Sequence, residues 1–193
     1  MTVPLDASVS RPLEGGPSFS LRHRLFRAVW TVAWAALGGW TPPPLHAWRR
    51  LLLVAFGARL APTARVYGAA RVWYPPNLEM GEHAVLGPSA NCYCMDKVTI
   101  GPYAIISQGA QLCGGTHRPD DPDFQLITKP ISIGHHAWIA ADAFVGPGVT
   151  VGEGALLGAR SVTFRDLSPW TIYAGNPAKP LRERRWPETR RRV

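Results

Sequence analysis

The sequence has little of several features that mark common protein classes. Its three cysteines, Cys92, Cys94 and Cys113, fit neither a zinc motif nor a CxxC redox pair, and their odd number disfavours a disulfide scaffold. The most apolar stretch, 26–40, is too short to span a membrane and contains Arg27. The first twenty residues lack the charged start and apolar run of a signal peptide. These absences predict a cytoplasmic protein.

Acidic residues are scarce, and the net charge of +8 is unevenly distributed. Residues 1–62 contain seven Arg and two acidic residues, residues 182–193 contain six Arg and two Glu, and residues 63–181 are near neutral. A pI near 10 is typical of proteins that bind nucleic acid. However, no basic stripe accompanies the middle of the chain, and no known nucleic-acid-binding motif is present. We therefore predict that nucleic acid is not a partner.

What the chain does have is a six-residue period. Residues 133–162 divide into IGHHAW, IAADAF, VGPGVT, VGEGAL and LGARSV, and each block begins with Ile, Val or Leu. The second residue is Gly in four of the five blocks, and the fifth is Ala, Val or Ser. Residues 80–91 and 100–117 follow the same pattern, and weaker copies begin at Val66 and Val72. A hexapeptide period predicts a parallel β-helix.

Each block would supply one short strand and one corner, so that three blocks form a triangular coil of about eighteen residues. The first and fifth residues would point inward and stack on their equivalents in the next coil. Glycine at the tight corner would permit a backbone shape that a larger side chain resists. Because one coil cannot bury its own apolar stack, neighbouring coils and end caps must cover it.

The repeats are predicted to occupy 63–167 and to be interrupted once. Segment 118–130 contains three prolines and three aspartates, so we expect a loop extruded from a corner, of the kind that often carries function. Its acidic residues either contribute to a site or are solvated turn formers. Residues 1–19, rich in Pro, Gly and Ser, are predicted to be poorly ordered. Residues 168–193 are predicted to form a C-terminal segment with a basic tail.

Residues 20–62 are predicted to form a helical cap on the first coil. The first helix would present one apolar face, made of Phe26, Val29, Trp30, Ala33 and Leu37. The prolines of 41–44 would end it, and a second helix would stop at Gly57. The cap could also rest on an anionic membrane through five arginines around an aromatic face, Arg22, Arg24, Arg27, Arg49 and Arg50. Both interpretations remain open, so the protein could be peripheral to the inner face of the membrane.

The repeats resemble those of the hexapeptide acyltransferases, whose [LIV]-G-x-x-[AST]-x coil is left-handed. The segments NLEMGEHAVLGPSANCY, VTIGPYAIISQGAQLCGGTH and PWTIYAGNPAKPLRER look most like the colanic-acid-biosynthesis O-acetyltransferase group, which is related to the galactoside, maltose and nodulation-factor enzymes. The resemblance covers about residues 20–184, and AGNPAK (174–179) is typical of members that use acetyl-CoA. It implies an all-β, left-handed parallel β-helix and a homotrimer with sites between subunits.

His117 is the candidate catalytic residue, because it ends a hexad where the repeat frame breaks. Transfer of an acyl group to a hydroxyl needs a base near that hydroxyl, and imidazole titrates near neutral pH. The resemblance places the catalytic histidine of the family at this position, within GGTH. His117 would take the proton of the acceptor, and the alkoxide would attack the acetyl-CoA carbonyl directly, while a backbone N–H stabilises the oxyanion.

The resemblance also implies binding residues for both substrates. For the acceptor these are Asn91, Tyr93 and Asp96, although Asn91 fits a tight corner equally well. For acetyl-CoA they are an aromatic, four small residues and three cations, namely Trp138, Ala140, Ala141, Gly158, Ala159, Arg165, Lys179 and Arg182. The chain has Phe-Arg where the family often has Thr-Lys, so Arg165 keeps the charge but loses a hydroxyl contact. The tail 184–193 extends the phosphate site, binds anionic lipid or does neither.

We predict an acetyl-CoA-dependent O-acetyltransferase that needs no metal and acts on a carbohydrate hydroxyl in a polysaccharide repeat unit, a lipid-linked sugar or a glycoside. One alternative is an acyltransferase of the same fold with an amine or a small antibiotic as acceptor. A second is a non-catalytic β-helix scaffold. A third is a zinc enzyme built from His83, His135 and His136, which the spacing of these histidines does not favour.

Overall fold

A computed structural model describes residues 3–187 and shows a parallel β-helix of five coils with three sheets as its sides. The first sheet contains β1 (Arg59–Leu60), β4 (Leu78–Met80), β7 (Val98–Ile100), β12 (Ile131–Ile133) and β15 (Thr150–Val151). The second contains β2 (Arg65–Val66), β5 (Val85–Leu86), β8 (Ile105–Ile106), β13 (Trp138–Ile139), β16 (Leu156–Leu157), β18 (Thr171–Gly175) and β19 (Ala178–Glu183). The third contains β3 (Arg71–Val72), β6 (Asn91–Tyr93), β9 (Gln111–Cys113), β14 (Phe144–Val145) and β17 (Val162–Thr163).

The remaining elements lie outside the coils. The strands β10 (Gly115–His117) and β11 (Leu126–Thr128) form an antiparallel hairpin between the third and fourth coils. Three α-helices precede the first coil, α1 (Ala7–Ser10), α2 (Leu21–Leu37) and α3 (His46–Ala55). Short 3₁₀ turns occur at Pro12–Glu14 and Pro75–Asn77. The parallel β-helix with an N-terminal cap and an extruded loop is therefore confirmed.

The core is a set of stacked columns inside the coils. The first residues of the blocks in 133–162 are at most 3% exposed, and these are Ile133, Ile139, Val145, Val151 and Leu157. The fifth residues are at most 2% exposed, and these are Ala137, Ala143, Val149, Ala155 and Ser161. Each large aliphatic side chain buried in this way contributes about 1.5–3 kcal/mol. The inward orientation predicted for both positions is confirmed.

Glycine at the second position has a different role from the predicted one. The left-handed φ angles fall at the fourth position of the blocks, for example at His136 and Asp142, both with φ of 56°. At Gly101 and Gly134, an added Cβ would lie 2.7 and 2.6 Å from a backbone nitrogen of the next coil. Glycine is therefore needed at the second position because successive coils approach closely there, and the corner itself accepts larger residues.

The cap covers the first coil through a face of α2 that matches the predicted one only in part, since Phe26 and Trp30 pack on the core as predicted. Trp30 is buried, and its indole N–H donates to the carbonyl of Val72 at 2.7 Å. Trp34 makes a similar bond one turn later, at 3.1 Å. Val29 and Leu37, which belonged to the predicted face, are instead exposed. Because the end of the first coil leaves backbone carbonyls without partners, the indole donors decide which face turns inward.

A buried arginine ties the cap to the first coil. Arg49 of α3 has no exposed surface, and its Nε donates to the carbonyl of Val66 at 2.6 Å. Its Nη1 donates to the hydroxyl of Thr41 at 2.8 Å, and its Nη2 donates to the carbonyl of Pro43 at 2.6 Å. The prediction that Arg49 belongs to a membrane-facing arginine set is therefore wrong, because the guanidinium satisfies backbone carbonyls inside the cap.

Residues 3–19, predicted to be poorly ordered, instead pack along the β10–β11 hairpin. The N–H of Ala7 donates to the side-chain oxygen of Gln125 at 2.7 Å, and the amide nitrogen of Gln125 donates to the carbonyl of Leu5 at 3.1 Å. Phe19 is buried in a small apolar cluster beside the hairpin. The composition of this segment gave no sign of order, because its partner lies more than a hundred residues further along the chain.

Candidate active site

The hairpin positions His117 outside the coils, at the corner between the third and first sheets. Its Nδ1 lies 2.7 Å from the carbonyl oxygen of Phe124, and the two rings stack with centroids 4.3 Å apart. Because a carbonyl oxygen can only accept a hydrogen bond, Nδ1 carries the proton in the neutral imidazole. The lone pair is then on Nε2, which is the atom that could act as a base.

Phe124 holds His117 by means of an unusual backbone conformation. Its φ of 53° lies in the left-handed region, which a phenylalanine rarely adopts. A bond from the N–H of Phe124 to the carbonyl of Asp121, 2.9 Å long, closes the turn. Such conformations persist where the surrounding structure constrains them, and they are concentrated at functional sites. The loop between β10 and β11 therefore serves at least to orient His117.

A cavity of about 440 Å³ lies beside His117. Arg24 and Arg27 of α2 line it, together with Trp73 and Tyr93, and the segment 15–19 with Met95 and Leu126 completes its wall. The guanidinium carbon of Arg27 lies 4.0 Å from the centre of the Trp73 ring. This arrangement combines a base, two cations and two aromatic surfaces in one cavity, and it shows that Arg27 belongs to the cavity wall.

The other two predicted acceptor residues lie elsewhere. Asn91 is in register with Arg71 and Gln111 on the third sheet. Asp96 accepts the N–H of Lys97 at 2.7 Å within a local turn. Of the three predicted residues, only Tyr93 lines the His117 cavity. Asn91 fits its alternative interpretation as a structural residue of the coil.

His23 lies under the wall of this cavity without adding charge to it. It is buried among the rings of Phe19, Trp73 and Tyr74, with centroids 4.7, 5.2 and 4.5 Å away. Burial, reinforced by the nearby Arg27, lowers the pKa of His23. The imidazole is therefore neutral near pH 7, and the positive charge of the wall comes from the two arginines.

A second candidate surface runs along the outside of the second sheet. One row of paired positions runs from the third coil to the fifth and on to β18, and it contains Ile105, Trp138, Leu156 and Ile172. Trp138 is 39% exposed, and its indole N–H donates to the hydroxyl of Ser107 at 2.9 Å. Trp138 thus points outward, as its sixth position in the block predicts. Ile105 and Trp138 are exposed, and Leu156 and Ile172 are half-buried, so this outward apolar stripe is a candidate binding surface.

The stripe leads into a cavity of about 500 Å³ that combines apolar and cationic side chains. It is lined by Trp138, Leu156, Ile172, Arg182, Arg184 and Arg185. Nη1 of Arg184 donates to the carbonyls of His136 and Gly154 at 2.9 and 3.0 Å, which fixes the segment against the coils. The sequence prediction included Arg182 but assigned Arg184 and Arg185 only to a tail of undecided role.

Of the remaining predicted donor residues, the four small ones lie together at one corner of the coil, and the two cations lie elsewhere. Ala140 and Ala141 follow β13, and Gly158 and Ala159 follow β16, so the four small residues stack at one corner of adjacent coils. Arg165 and Lys179 are exposed but do not line the arginine cavity. Residues 188–193 of the predicted basic tail lie outside the described residues.

Comparison with known proteins places the chain in a family. Over 177 residues it is 36% identical to a protein of Escherichia coli (strain K12) named for colanic acid biosynthesis as the acetyltransferase WcaF, and the match covers 92% of this chain and 94% of that protein. The chain belongs to the hexapeptide-repeat acetyltransferase family. This membership confirms the predicted resemblance and the assignment to the acyltransferase class of enzymes. No protein-family profile matches the chain.

Two solved structures share the fold of this acetyltransferase. A maltose O-acetyltransferase from Clostridium difficile 630 has a TM-score of 0.76 at 22% identity, over 86% of this chain and 90% of that one. The hexapeptide-repeat acetyltransferase VCA0836 from Vibrio cholerae O1 biovar eltor, solved with acetyl coenzyme A, also has a TM-score of 0.76 at 22% identity, over 86% and 91%. At these identities the two structures support the β-helix fold alone.

Two further features of the acetyltransferase concern metals and membrane spans. Among residues 3–187, no group of three or more His, Cys, Asp or Glu side chains is placed to hold a metal ion. Of the histidines in the zinc alternative, His135 instead pairs with Glu153, with 2.9 Å between Nε2 and the carboxylate oxygen. None of the helices in the described part of the chain has the length and apolar character to cross a bilayer.

Proposed function

We propose that this acetyltransferase transfers the acetyl group of acetyl-CoA to a carbohydrate hydroxyl, with His117 as the general base. The observation that carries the proposal is the bond between Nδ1 of His117 and the Phe124 carbonyl, which leaves Nε2 as the basic atom in a cavity. Trp73 and Tyr93 offer aromatic surfaces on which a sugar ring can pack. Release of CoA thiol with a panel of sugars, amines and antibiotics tests the acceptor class, and turnover of only the amines or antibiotics would contradict it.

The reaction needs no covalent enzyme intermediate. Nε2 of His117 takes the proton of the acceptor hydroxyl while the oxygen attacks the thioester carbonyl. A backbone N–H stabilises the negative charge on the tetrahedral intermediate. The C–S bond then breaks, and the imidazolium returns its proton to the departing thiolate. The products are the acetyl ester and CoA, and His117 is neutral again.

The apolar stripe and the arginine cavity suit the two ends of acetyl-CoA. The pantetheine arm can lie along Trp138, Leu156 and Ile172, where outward apolar side chains form a row. The phosphates can bind Arg182 and Arg185 at its end, because guanidinium groups match phosphate oxygens in geometry and charge. Arg184 is already bonded to two carbonyls and would contribute mainly its charge.

The positions of the two cavities support a proposed site shared between subunits. The His117 cavity and the arginine cavity have no lining residue in common, and they lie on different sides of the coil. A single chain therefore does not bring the base to the donor stripe. A homotrimer, in which the second sheet of one subunit faces the hairpin of the next, would complete each site. The flat sides of a triangular coil suit cyclic association of this kind.

A complementation experiment tests the donor site and the trimer together. The double variant Arg182→Gln, Arg185→Gln should raise the KM for acetyl-CoA by about tenfold or more, because two charge-assisted contacts to phosphate are lost. Coexpressed with His117→Ala chains and assayed at acetyl-CoA concentrations well below the KM, it should give mixed assemblies with more activity than either variant alone. Such assemblies contain sites that combine an intact His117 from one subunit with intact arginines from its neighbour.

Arg71→Gln is the matched control for the donor site, since Arg71 is an exposed arginine of the third sheet and does not line the arginine cavity. An equal rise of the KM in this variant would contradict the proposed phosphate site. Mixed assemblies with no more activity than the two parents would contradict the site between subunits. Copurification through an affinity tag carried by only one of the two chains establishes that mixed oligomers were present.

We also propose that the cap contacts an anionic membrane, through a narrower set of residues than the sequence predicted. Several apolar side chains of the cap point into solvent, namely Leu21, Leu25, Val29, Val32, Trp40 and Leu51. The segment 15–78 contains eight Arg and no acidic residue, so its charge complements anionic lipid. Arg22 and Arg24 remain exposed on α2, whereas Arg49 is buried.

Substitution at Val32 tests the membrane contact. Val32 is 67% exposed on α2, and Val32→Glu should reduce co-sedimentation with vesicles of anionic phospholipid severalfold, because a carboxylate opposes both insertion and lipid charge. Val9→Glu is the control, since Val9 is 80% exposed on α1, away from the cap. Vesicle binding that is equal in both variants, or absent in the unmodified protein, would contradict the membrane contact. The exposed apolar face of the cap would then be a candidate interface with another subunit.

A further inference from the structure

The cavity beside His117 contains two cations and no anion. Arg24 and Arg27 line it from successive turns of α2, and no Asp or Glu is among the residues that form its wall. Neither arginine has a carboxylate oxygen within 4.0 Å among residues 3–187. The cavity is therefore positively charged, with no partner for that charge within the described part of the chain.

Because Arg27 is half-buried, the lack of an anionic partner for its charge is energetically unfavourable. The side chain is half-buried, and its guanidinium carbon lies over the indole of Trp73, 4.0 Å from the ring centre. Burial lowers the pKa of Arg27, which reflects the loss of solvent around the charge. A desolvated cation without a counter-ion is unfavourable, and the cost is recovered if a ligand supplies the anion. Arg24, three residues earlier, is more exposed and can reach the same ligand.

We propose that the acceptor is an anionic sugar, and that Arg24 and Arg27 bind a carboxylate or phosphate group on it. This inference rests on the proposed function and narrows its substrate class. The guanidinium fork fits the two oxygens of either group. Trp73 and Tyr93 would hold the sugar ring, and the charged group would set which hydroxyl comes to rest against Nε2 of His117.

The test compares matched neutral and anionic acceptors in the intact protein. Methyl glucoside, methyl glucuronide and glucose 1-phosphate, with their galactose counterparts, are assayed by release of CoA thiol. We expect kcat/KM for an anionic member to exceed that for its neutral counterpart by about tenfold or more. A preference for the glucuronide identifies a carboxylate as the recognised group, and a preference for the sugar phosphate identifies a phosphate.

Arg24→Gln should lower that preference by about tenfold, because one of the two charge-assisted contacts is lost. Arg22→Gln is the matched control. It removes the same charge from the same turn of α2, but Arg22 is exposed, does not line the cavity, and points away from Arg24 because it lies two positions earlier. Arg27→Lys keeps the charge in the cavity wall but removes the guanidinium fork, so it should retain only part of the preference.

Equal kcat/KM for neutral and anionic members, or an equal effect of Arg24→Gln and Arg22→Gln, would overturn the inference. Calorimetric titration with the same sugars distinguishes a failure of this inference from a failure of the proposed function. Tight binding of an anionic sugar without any turnover would support the charged site and contradict the O-acetyltransferase reaction. Turnover of neutral sugars only would support the reaction and contradict the charged site.

Discussion

His117→Ala should lower kcat for O-acetylation by about two to four orders of magnitude. The variant removes the atom that takes the proton of the acceptor, and no other imidazole lines the cavity within the described residues. Acetyl-CoA should still bind with a similar Kd, because the donor stripe and the arginine cavity lie on another side of the coil. Thiol release measures turnover, and calorimetry measures binding of acetyl-CoA.

His83→Ala is a suitable control for this substitution. His83 lies at a corner of the coil, where its ring stacks on Tyr103 with centroids 4.9 Å apart, and it does not line the His117 cavity. We expect its turnover to remain close to that of the unmodified protein. Turnover of His117→Ala equal to that of the control would remove His117 from the mechanism. Loss of acetyl-CoA binding in His117→Ala would indicate a damaged fold instead of a lost base.

Arg49→Ala should lower the free energy of unfolding by about 3 kcal/mol or more, since each buried polar group left without a partner costs about 1–3 kcal/mol. The guanidinium supplies donors to the carbonyls of Val66 and Pro43 and to the hydroxyl of Thr41, and it has no exposed surface. Its removal also leaves a cavity between the cap and the first coil. Chemical denaturation monitored by tryptophan fluorescence measures the change.

Arg50→Ala separates the effect of burial from the loss of a positive charge on α3. Arg50 is the next residue, and its Nη1 donates to the carbonyl of Pro62 in an exposed contact. Its replacement should change the free energy of unfolding by about 0.5 kcal/mol or less, as is usual for surface sites. If both variants lose similar stability, the buried network of Arg49 does not hold the cap as we propose.

The repeats were predictable because their structure is local. Within each hexad the first and fifth residues point inward and the sixth outward, so a short stretch of sequence already displays the pattern that the stacked coils repeat. The period therefore placed Ile139 inside the coil and Trp138 outside it, and both placements are confirmed. The frame break after His117 likewise marked the hairpin that carries this residue.

The orientation of the cap was not predictable in the same way. Helix α2 is apolar over much of its circumference, so the sequence pattern permits more than one buried face. The indole bonds of Trp30 and Trp34 to the end of the coil selected one face and left Val29 in solvent. The burial of Arg49 was hidden for a similar reason, because its partners are backbone carbonyls, which have no signature in a sequence.

By itself, the sequence determined the β-helix, an extruded loop and the position of His117 at its start, since each follows from a period of six residues and its interruption. The tertiary structure alone decided what surrounds this histidine. Stacking of the coils and docking of α2 bring Arg24, Arg27, Trp73 and Tyr93 to one cavity, although they belong to separate elements of the chain. In a solenoid, residues that are distant in the chain become neighbours through stacking and end-capping, and the charge of the cavity is set at that level.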